Sequence, residues 1–336
     1  MNIDSLIKII KDTVENHKLE NDGEYARFLW QNEEKTRKMG LNEYGCADAV
    51  NILYTINDFI ADPVSRANHV RVLQDFQEKD TGLFREHTHH FIHTTAHCIA
   101  ALELFDAMPK YPLYALKEYA TPDGVRKLLD GLDWDNPWSQ AHQGAGIYAA
   151  MVLTDSVDKE WEKAYFDWLW ENCDEKTGFC MKKGMGDKAR LYQHMAGSFH
   201  YLFNYEYAKM PIRYPEKMID SLLDMYENDE FHTLDNASNF GRNVGFLEID
   251  WAYSVNRALR QTAGYRRDDC IKALRKFSKD FIEWLYSIDH KTHERFNDLH
   301  MLFGATCALA ELQTALPGEI ETKKPLRLVL DRRPFV

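Results

Sequence analysis

Residues 85–100 read REHTHHFIHTTAHCIA and carry five histidines, His87, His89, His90, His93 and His97. Imidazole changes charge near neutral pH, so such a density suits proton transfer, metal ligation or hydrogen bonding to a polar ligand. His93 and His97 are four residues apart and share one face of any helix built here, as two metal ligands would. The glutamate of a HExxH zinc motif is missing, because Thr94 follows the first of the two. Cys173 and Cys180 flank a turn without further ligands nearby in the chain, so they do not read as a zinc knuckle. His93 and His97 are therefore read as pocket-lining histidines hydrogen-bonded to neighbours, and neither a metal nor a cofactor is expected.

The carboxylates offer a second chemistry. Glycoside hydrolysis needs two of them about 5 to 10 Å apart, one as acid and one as base or nucleophile. Asp250 in EIDW is the first choice, because it opens an apolar segment beside Trp251. Asp298 in NDLH or Asp135 in LDWDNPWSQAH is the expected partner, with His97 and His194 moving protons. Each aspartate has a plainer reading as a helix N-cap. Tyr44, His93, Trp138, His142, Tyr192, Trp251 and His300 are expected to bind substrate, the aromatic rings by stacking on sugar faces. Arg242, in the polar stretch LDNASNFGRNVGFLEIDW, either grips an anionic group or braces its own loop.

These residues need elements to bring them together, and an internal repeat supplies them. Six segments begin with polar or aromatic residues, pass through small ones and continue as strongly apolar stretches. They start at residues 41, 93, 139, 192, 248 and 297. Between them lie segments such as VSRANHVRVLQDFQEK and DDCIKALRKFSKDFIEWLYS, whose apolar residues recur at helical spacing with one charged face. A helix apolar nearly all round belongs inside and one with a wet face belongs outside. The expected fold is all-α, an (α/α)6 toroid of six inner and six outer helices over residues 1–336, with a C-terminal tail from about 317 to 336. An open helical solenoid is the rival arrangement. Gly45, Ala96, Gly144, Gly146, Gly197 and Gly304 near the inner-helix starts allow close packing. A second repeat, in QEKDTGLF, DEKTGFC and IDHKTHERF, reads as a tight turn returning an outer helix to an inner one. If the inner helices run parallel, their first turns surround one funnel, whose unpaired N–H groups favour anionic or hydroxyl-rich ligands.

The pattern FQxxDTGLF followed by a small-residue inner helix resembles the repeats of the α/α-toroid enzymes, a group of six-hairpin glycosidases, polysaccharide lyases, sugar epimerases and the terpenoid cyclase and prenyltransferase toroids. The resemblance is architectural and covers nearly the whole chain. The DxDD of class II terpene cyclases, the prenyltransferase zinc ligands and the paired histidines of N-acylglucosamine epimerases are absent. It implies a carbohydrate-active enzyme, with hydrolysis of a small saccharide, acidic or neutral, as the leading reaction. A sugar epimerase or a lyase is the first alternative and an isoprenoid enzyme the second; Phe84, Phe91, Tyr148, Phe199, Phe203 and Phe303 keep the latter open.

Composition narrows the partners. With a net charge of -12 and no clustered Lys and Arg, nucleic acid is not expected. The first twenty residues carry charges within their apolar pattern and do not read as a signal peptide, and no apolar run is long enough to span a membrane. Six scattered cysteines point to a reducing cytoplasm rather than a disulfide framework.

Overall fold

The computed structural model of the chain describes residues 1–182, 188–228 and 246–335. Among them every regular element is helical, and extended backbone meets only in isolated bridges. In chain order the helices are α1 (Asp4–His17), α2 (Glu43–Thr55), α3 (Pro63–Asp75), α4 (Phe91–Glu103), α5 (Pro122–Gly131), α6 (Pro137–Leu153) and α7 (Lys159–Glu171), then α8 (Leu191–Ala208), α9 (Pro215–Glu227), α10 (Leu247–Arg260), α11 (Arg267–Ser287), α12 (Glu294–Asn297), α13 (Leu299–Ala315) and α14 (Val329–Arg332), with a 3₁₀ turn at Tyr114–Tyr119.

The six apolar segments become α2, α4, α6, α8, α10 and α13, each beginning within two residues of its expected start. Burial follows the pattern that predicted it. In α2 every residue but Tyr54 is buried, whereas α1 hides only Leu6, Ile10, Thr13, Val14 and His17, one stripe at helical spacing. The buried helices pack as neighbours in order: α2 on α4, α4 on α6, α6 on α8, α8 on α10 and α10 on α13. The last of them, α13, packs back on α2. Close approach needs the glycines. A Cβ at Gly197 in α8 would lie 2.9 Å from the Pro137 carbonyl oxygen in α6. One at Gly45 would lie 2.5 Å from the backbone of Ala26, so the N-terminal segment lies directly on the start of α2. Among the described residues no helix is long and apolar enough to cross a membrane, and all six cysteines are free thiols.

The repeated turns share one construction. In the second copy Thr177 donates from both its N–H and its hydroxyl to Asp174, and the Gly178 N–H closes the turn on the Asp174 carbonyl with φ of 76°. In the first copy the Thr81 hydroxyl donates to Glu78 and the Gly82 N–H to the Glu78 carbonyl, again at positive φ. The third copy keeps the Thr292–Asp289 bond but has His293 where the others have glycine. Just past the first two turns, the Phe84 and Cys180 N–H groups donate to the Thr95 and Ser198 hydroxyls on α4 and α8. The turn thereby fixes the height of the buried helix that follows. Thr95 lies between His93 and His97, so this bond also sets their depth.

A buried ion cluster holds the C-terminal end. The Arg257 guanidinium in α10 donates to Glu311 in α13 at 2.6 and 3.0 Å and to Asp331 in α14 at 2.6 Å, and Asn256 donates to the same glutamate. Burial pushes the Glu311 carboxyl upward, and Arg257 opposes it. Removing one member strands a charge in a low-dielectric interior. Glu311→Ala is expected to cost about 3 to 5 kcal/mol of unfolding free energy. Arg257→Met combined with Glu311→Leu should recover most of that loss in urea titrations; a double variant as unstable as the single one would place the cost elsewhere.

Candidate functional site

Five of the six buried helices send titratable side chains to one place within their first three turns. They are Tyr44 and Asp48 from α2, His93 and His97 from α4, His142 from α6, His200 from α8 and His300 from α13. Helical spacing explains the pairs: Tyr44 and Asp48, and His93 and His97, each lie one turn apart on a single face. His89, from the loop before α4, joins them.

Asp48 is the electrostatic centre. Its Oδ1 accepts a hydrogen bond from His97 Nε2 at 2.9 Å and from His300 Nδ1 at 3.1 Å. Burial by itself would raise this carboxyl, but the two imidazoles outweigh it and hold Asp48 well below the usual carboxylate range. Its second oxygen, Oδ2, is buried and has no hydrogen-bond partner among the described residues. Tyr44 stacks between the rings of His89 and His97, with centroids 4.6 and 4.8 Å away, and the edge of His300 meets it at 4.9 Å. A hydrogen bond joins its hydroxyl to His93 Nδ1. His142 lies between His93 and His200, with ring centroids 4.6 and 4.8 Å away. Burial lowers His97, His200 and His89 to about 4, and holds His93 and His142 far below the ordinary imidazole range. At neutral pH these five rings are uncharged and offer lone pairs.

A second layer supports the first. Arg27, in the N-terminal segment, makes a two-pronged bond to Asp298 at 2.9 and 3.0 Å and donates to Thr88 at 2.8 Å. Its guanidinium lies over the Tyr44 ring at 5.0 Å. Asp298 also caps α13 by accepting from the His300 N–H, which orients the histidine that reaches Asp48. Thr88 donates in turn to Glu86, which is buried beside Arg27 and His89. On the opposite side the C-terminal tail enters. Arg333 is fully buried and donates to Asn51, and the Phe335 ring packs on His93 at 4.9 Å.

Of the residues singled out from sequence, the structure therefore brings together Tyr44, His93, His97, His142 and His300. Asp298 stands next to them as a cap and as the partner of Arg27. Trp138 and Tyr192 meet edge to face at 6.4 Å in the first turns of α6 and α8, both half-buried. His194 is buried in the first turn of α8. Asp135 is set apart: its side chain is one-third exposed and pairs with Lys188 at 2.8 Å. Trp251 is also set apart, because its position on α10 turns it outward. It stacks on Tyr226 of α9, meets Phe277 of α11 at a tilt and donates to the Leu222 carbonyl. Asp250 is fully buried, and neither of its oxygens has a partner among the described residues. Burial first and Glu248 second push its carboxyl well above the normal range. Arg242 lies outside the described residues.

Sequence reading missed Asp48, Arg27, Glu86, Arg333 and Phe335, and left His200 without a role. Asp48 had a signal, as a charge within the otherwise apolar EYGCADAVNILYT. Arg27 and the tail had none, since both lie outside the repeat. Comparison with known protein families, with characterised proteins and with solved structures finds no match to this chain.

Glu86 gives the second layer a pH signature. Burial would raise its carboxyl, but hydrogen bonds from His89 and Thr88 and the charge of Arg27 bring it down to about 2. A carboxyl lowered in the folded state stabilises above its unfolded value of about 4.5, and that stability is lost as pH falls towards 2. Glu86→Gln should therefore be less stable than the parent at pH 7, and urea titrations should show the two converging as pH falls from about 5 to about 2. A gap unchanged over that range would exclude an ionised Glu86 as its source.

Proposed function

We propose that the chain is an α/α-toroid enzyme in which a histidine oriented by a carboxylate moves a proton on a small hydroxyl-rich substrate, as an epimerase or a lyase does. For the toroid, the support is the cyclic packing order α2–α4–α6–α8–α10–α13–α2, with α1, α3, α5, α7, α9 and α11 interposed along the chain. For the chemistry, one observation carries the reading: the bond between His300 Nδ1 and Asp48 Oδ1. A carboxylate can only accept, so this nitrogen carries the hydrogen, and in the neutral ring the lone pair falls on Nε2, the form a general base needs. Asp48 then stabilises the imidazolium formed when the proton arrives, as the carboxylate does in hydrolase triads. His97 shares the same oxygen and Asp298 fixes the backbone of His300. Trp138 and Tyr192 offer apolar faces at the helix starts for a sugar ring.

The hydrolase reading keeps one specific observation in its favour. Asp250 is buried, has no hydrogen-bond partner among the described residues, and its carboxyl is pushed well upward by burial, as a general acid's is. Its expected partners weaken that reading, since Asp298 is held by Arg27 and Asp135 by Lys188.

The two readings separate in one assay. Aldoses, ketoses and uronates incubated with the enzyme in deuterated buffer should exchange a carbon-bound proton, followed by NMR. Asp48→Asn and His300→Gln should slow that exchange ~10²- to 10⁴-fold, the usual worth of a general base, while Asp250→Asn stays within about twofold of the parent. Loss of turnover in Asp250→Asn, with Asp48→Asn fully active, would replace this proposal with the hydrolase.

A further inference from the structure

Six of the fourteen histidines, His89, His93, His97, His142, His200 and His300, gather around Tyr44 and Asp48, and proton transfer at His300 uses only some of them. His93, His142 and His200 come from three buried helices that pack in series, α4, α6 and α8, and have no part in the Asp48 bonds. One ring nitrogen from each lies within 4.8 Å of the other two. We infer that His93, His142 and His200 form a three-nitrogen site for a divalent transition-metal ion beside the proposed base, which would polarise a carbonyl or hydroxyl oxygen of the substrate. The role given to the ion rests on the reading under Proposed function; the site itself does not.

The bonds on the far side of each ring decide which nitrogen is left for a metal. His200 Nδ1 faces the Ala196 carbonyl at 2.8 Å. A carbonyl only accepts, so Nδ1 carries the hydrogen and Nε2 is the free lone pair. His93 Nδ1 is bonded to the Tyr44 hydroxyl, which leaves Nε2 as the ring nitrogen free to face an ion. Outer hydrogen bonds of this kind, to a carbonyl and to a hydroxyl, are what fix the tautomer and ring plane of metal-ligating histidines. His142, the third member, is tilted by 55° and 53° to the other two rings. Imidazole nitrogens brought this close repel one another wherever they face with lone pairs, unless a cation or a donor joins them.

A neighbouring trio, Asp48, His97 and His300, meets the same distance test. Its two facing nitrogens already donate hydrogen to Asp48 Oδ1, so those lone pairs are not available. The two trios therefore have different roles, one holding a proton network and the other open to an ion. The His93 and His300 rings are 6.3 Å apart, which would put a base next to the metal-bound oxygen. Three imidazoles without a thiolate suit zinc and its neighbours in the first transition row, and three protein ligands leave coordination positions for substrate.

The test is binding of Zn²⁺ and Co²⁺ to the full chain after chelator treatment, by equilibrium dialysis with elemental analysis and by the visible spectrum of the cobalt form. We expect one ion per chain. His142→Gln and His200→Ala should abolish it, His290→Ala and Asp48→Asn should retain it, and Tyr44→Phe should weaken it ~10- to 100-fold, as loss of an outer-shell bond does. Circular dichroism checks the fold of each variant; should His200→Ala not fold, the half-buried His142 carries the test. A chain that takes up no ion, an ion kept by His142→Gln, or an ion lost equally in Asp48→Asn overturns the assignment. None of these readouts needs turnover, so a metal bound without proton exchange on any sugar would leave the site standing and remove the base at His300.

Discussion

A carboxylate sealed inside an all-helical core has to be given hydrogen-bond donors, and the arrangement around Asp48 follows from that requirement. An unpaired charge in such a place would cost several kcal/mol. The donors come from His97 on α4 and His300 on α13, the two helices that flank α2. Asp48 therefore joins the beginning of the helix series to its end. His300 reaches it only because Asp298 caps α13, and Asp298 keeps its orientation because Arg27 grips both of its oxygens. The N-terminal segment that carries Arg27 lies close enough to α2 that Gly45 has no room for a side chain. Backbone approach, cap and buried ion pair thus form one mechanical chain ending on a single oxygen atom.

Around this anion the histidines are kept neutral by burial, and Tyr44 separates two kinds of them. Its faces stack on His89 and His97, while its hydroxyl is bonded to His93. On one side imidazole hydrogens are spent on Asp48; on the other His200 spends its hydrogen on the Ala196 carbonyl and His93 Nδ1 is bonded to Tyr44. The same residue type is thereby divided into donors and lone-pair bearers by the bonds behind it rather than by its own chemistry. The tail completes the enclosure, with Phe335 against His93 and Arg333 bonded to Asn51 one turn below Asp48.

Much of the fold was legible because burial leaves a trace in residue order. A helix surrounded by protein has no polar face, and the six segments without one are the six helices that pack in series. The turn copies were legible for a similar reason, since Thr177 and Thr81 are placed by local bonds to acids three residues before them. The gathering of Tyr44, His93, His97, His142 and His300 in one candidate site was also legible, because polar residues at the starts of apolar helices have few structural uses. Roles were harder. Asp298, expected as a catalytic carboxylate, is held by an arginine 271 residues away in sequence, and no local pattern announces such a partner. Trp251 and Asp250 are adjacent in the chain, yet one faces the outer helices and the other has no hydrogen-bond partner among the described residues.

By itself, then, the sequence determined which segments are helical, which of them are buried, and at which end the histidines gather. Those properties depend on periodicity and on solvent exclusion, which act over a few turns of chain. Only tertiary structure decided that Asp48 is the hub, that His200 joins His93 and His142, that Asp135 stays at the surface, and that the last residues return to the centre. Each of these is a meeting of side chains from separate helices, set by the rotation and height at which the helices pack. Hydrophobic pattern constrains that rotation loosely; the glycine contacts, the turn hydroxyls and the buried ion pairs settle it.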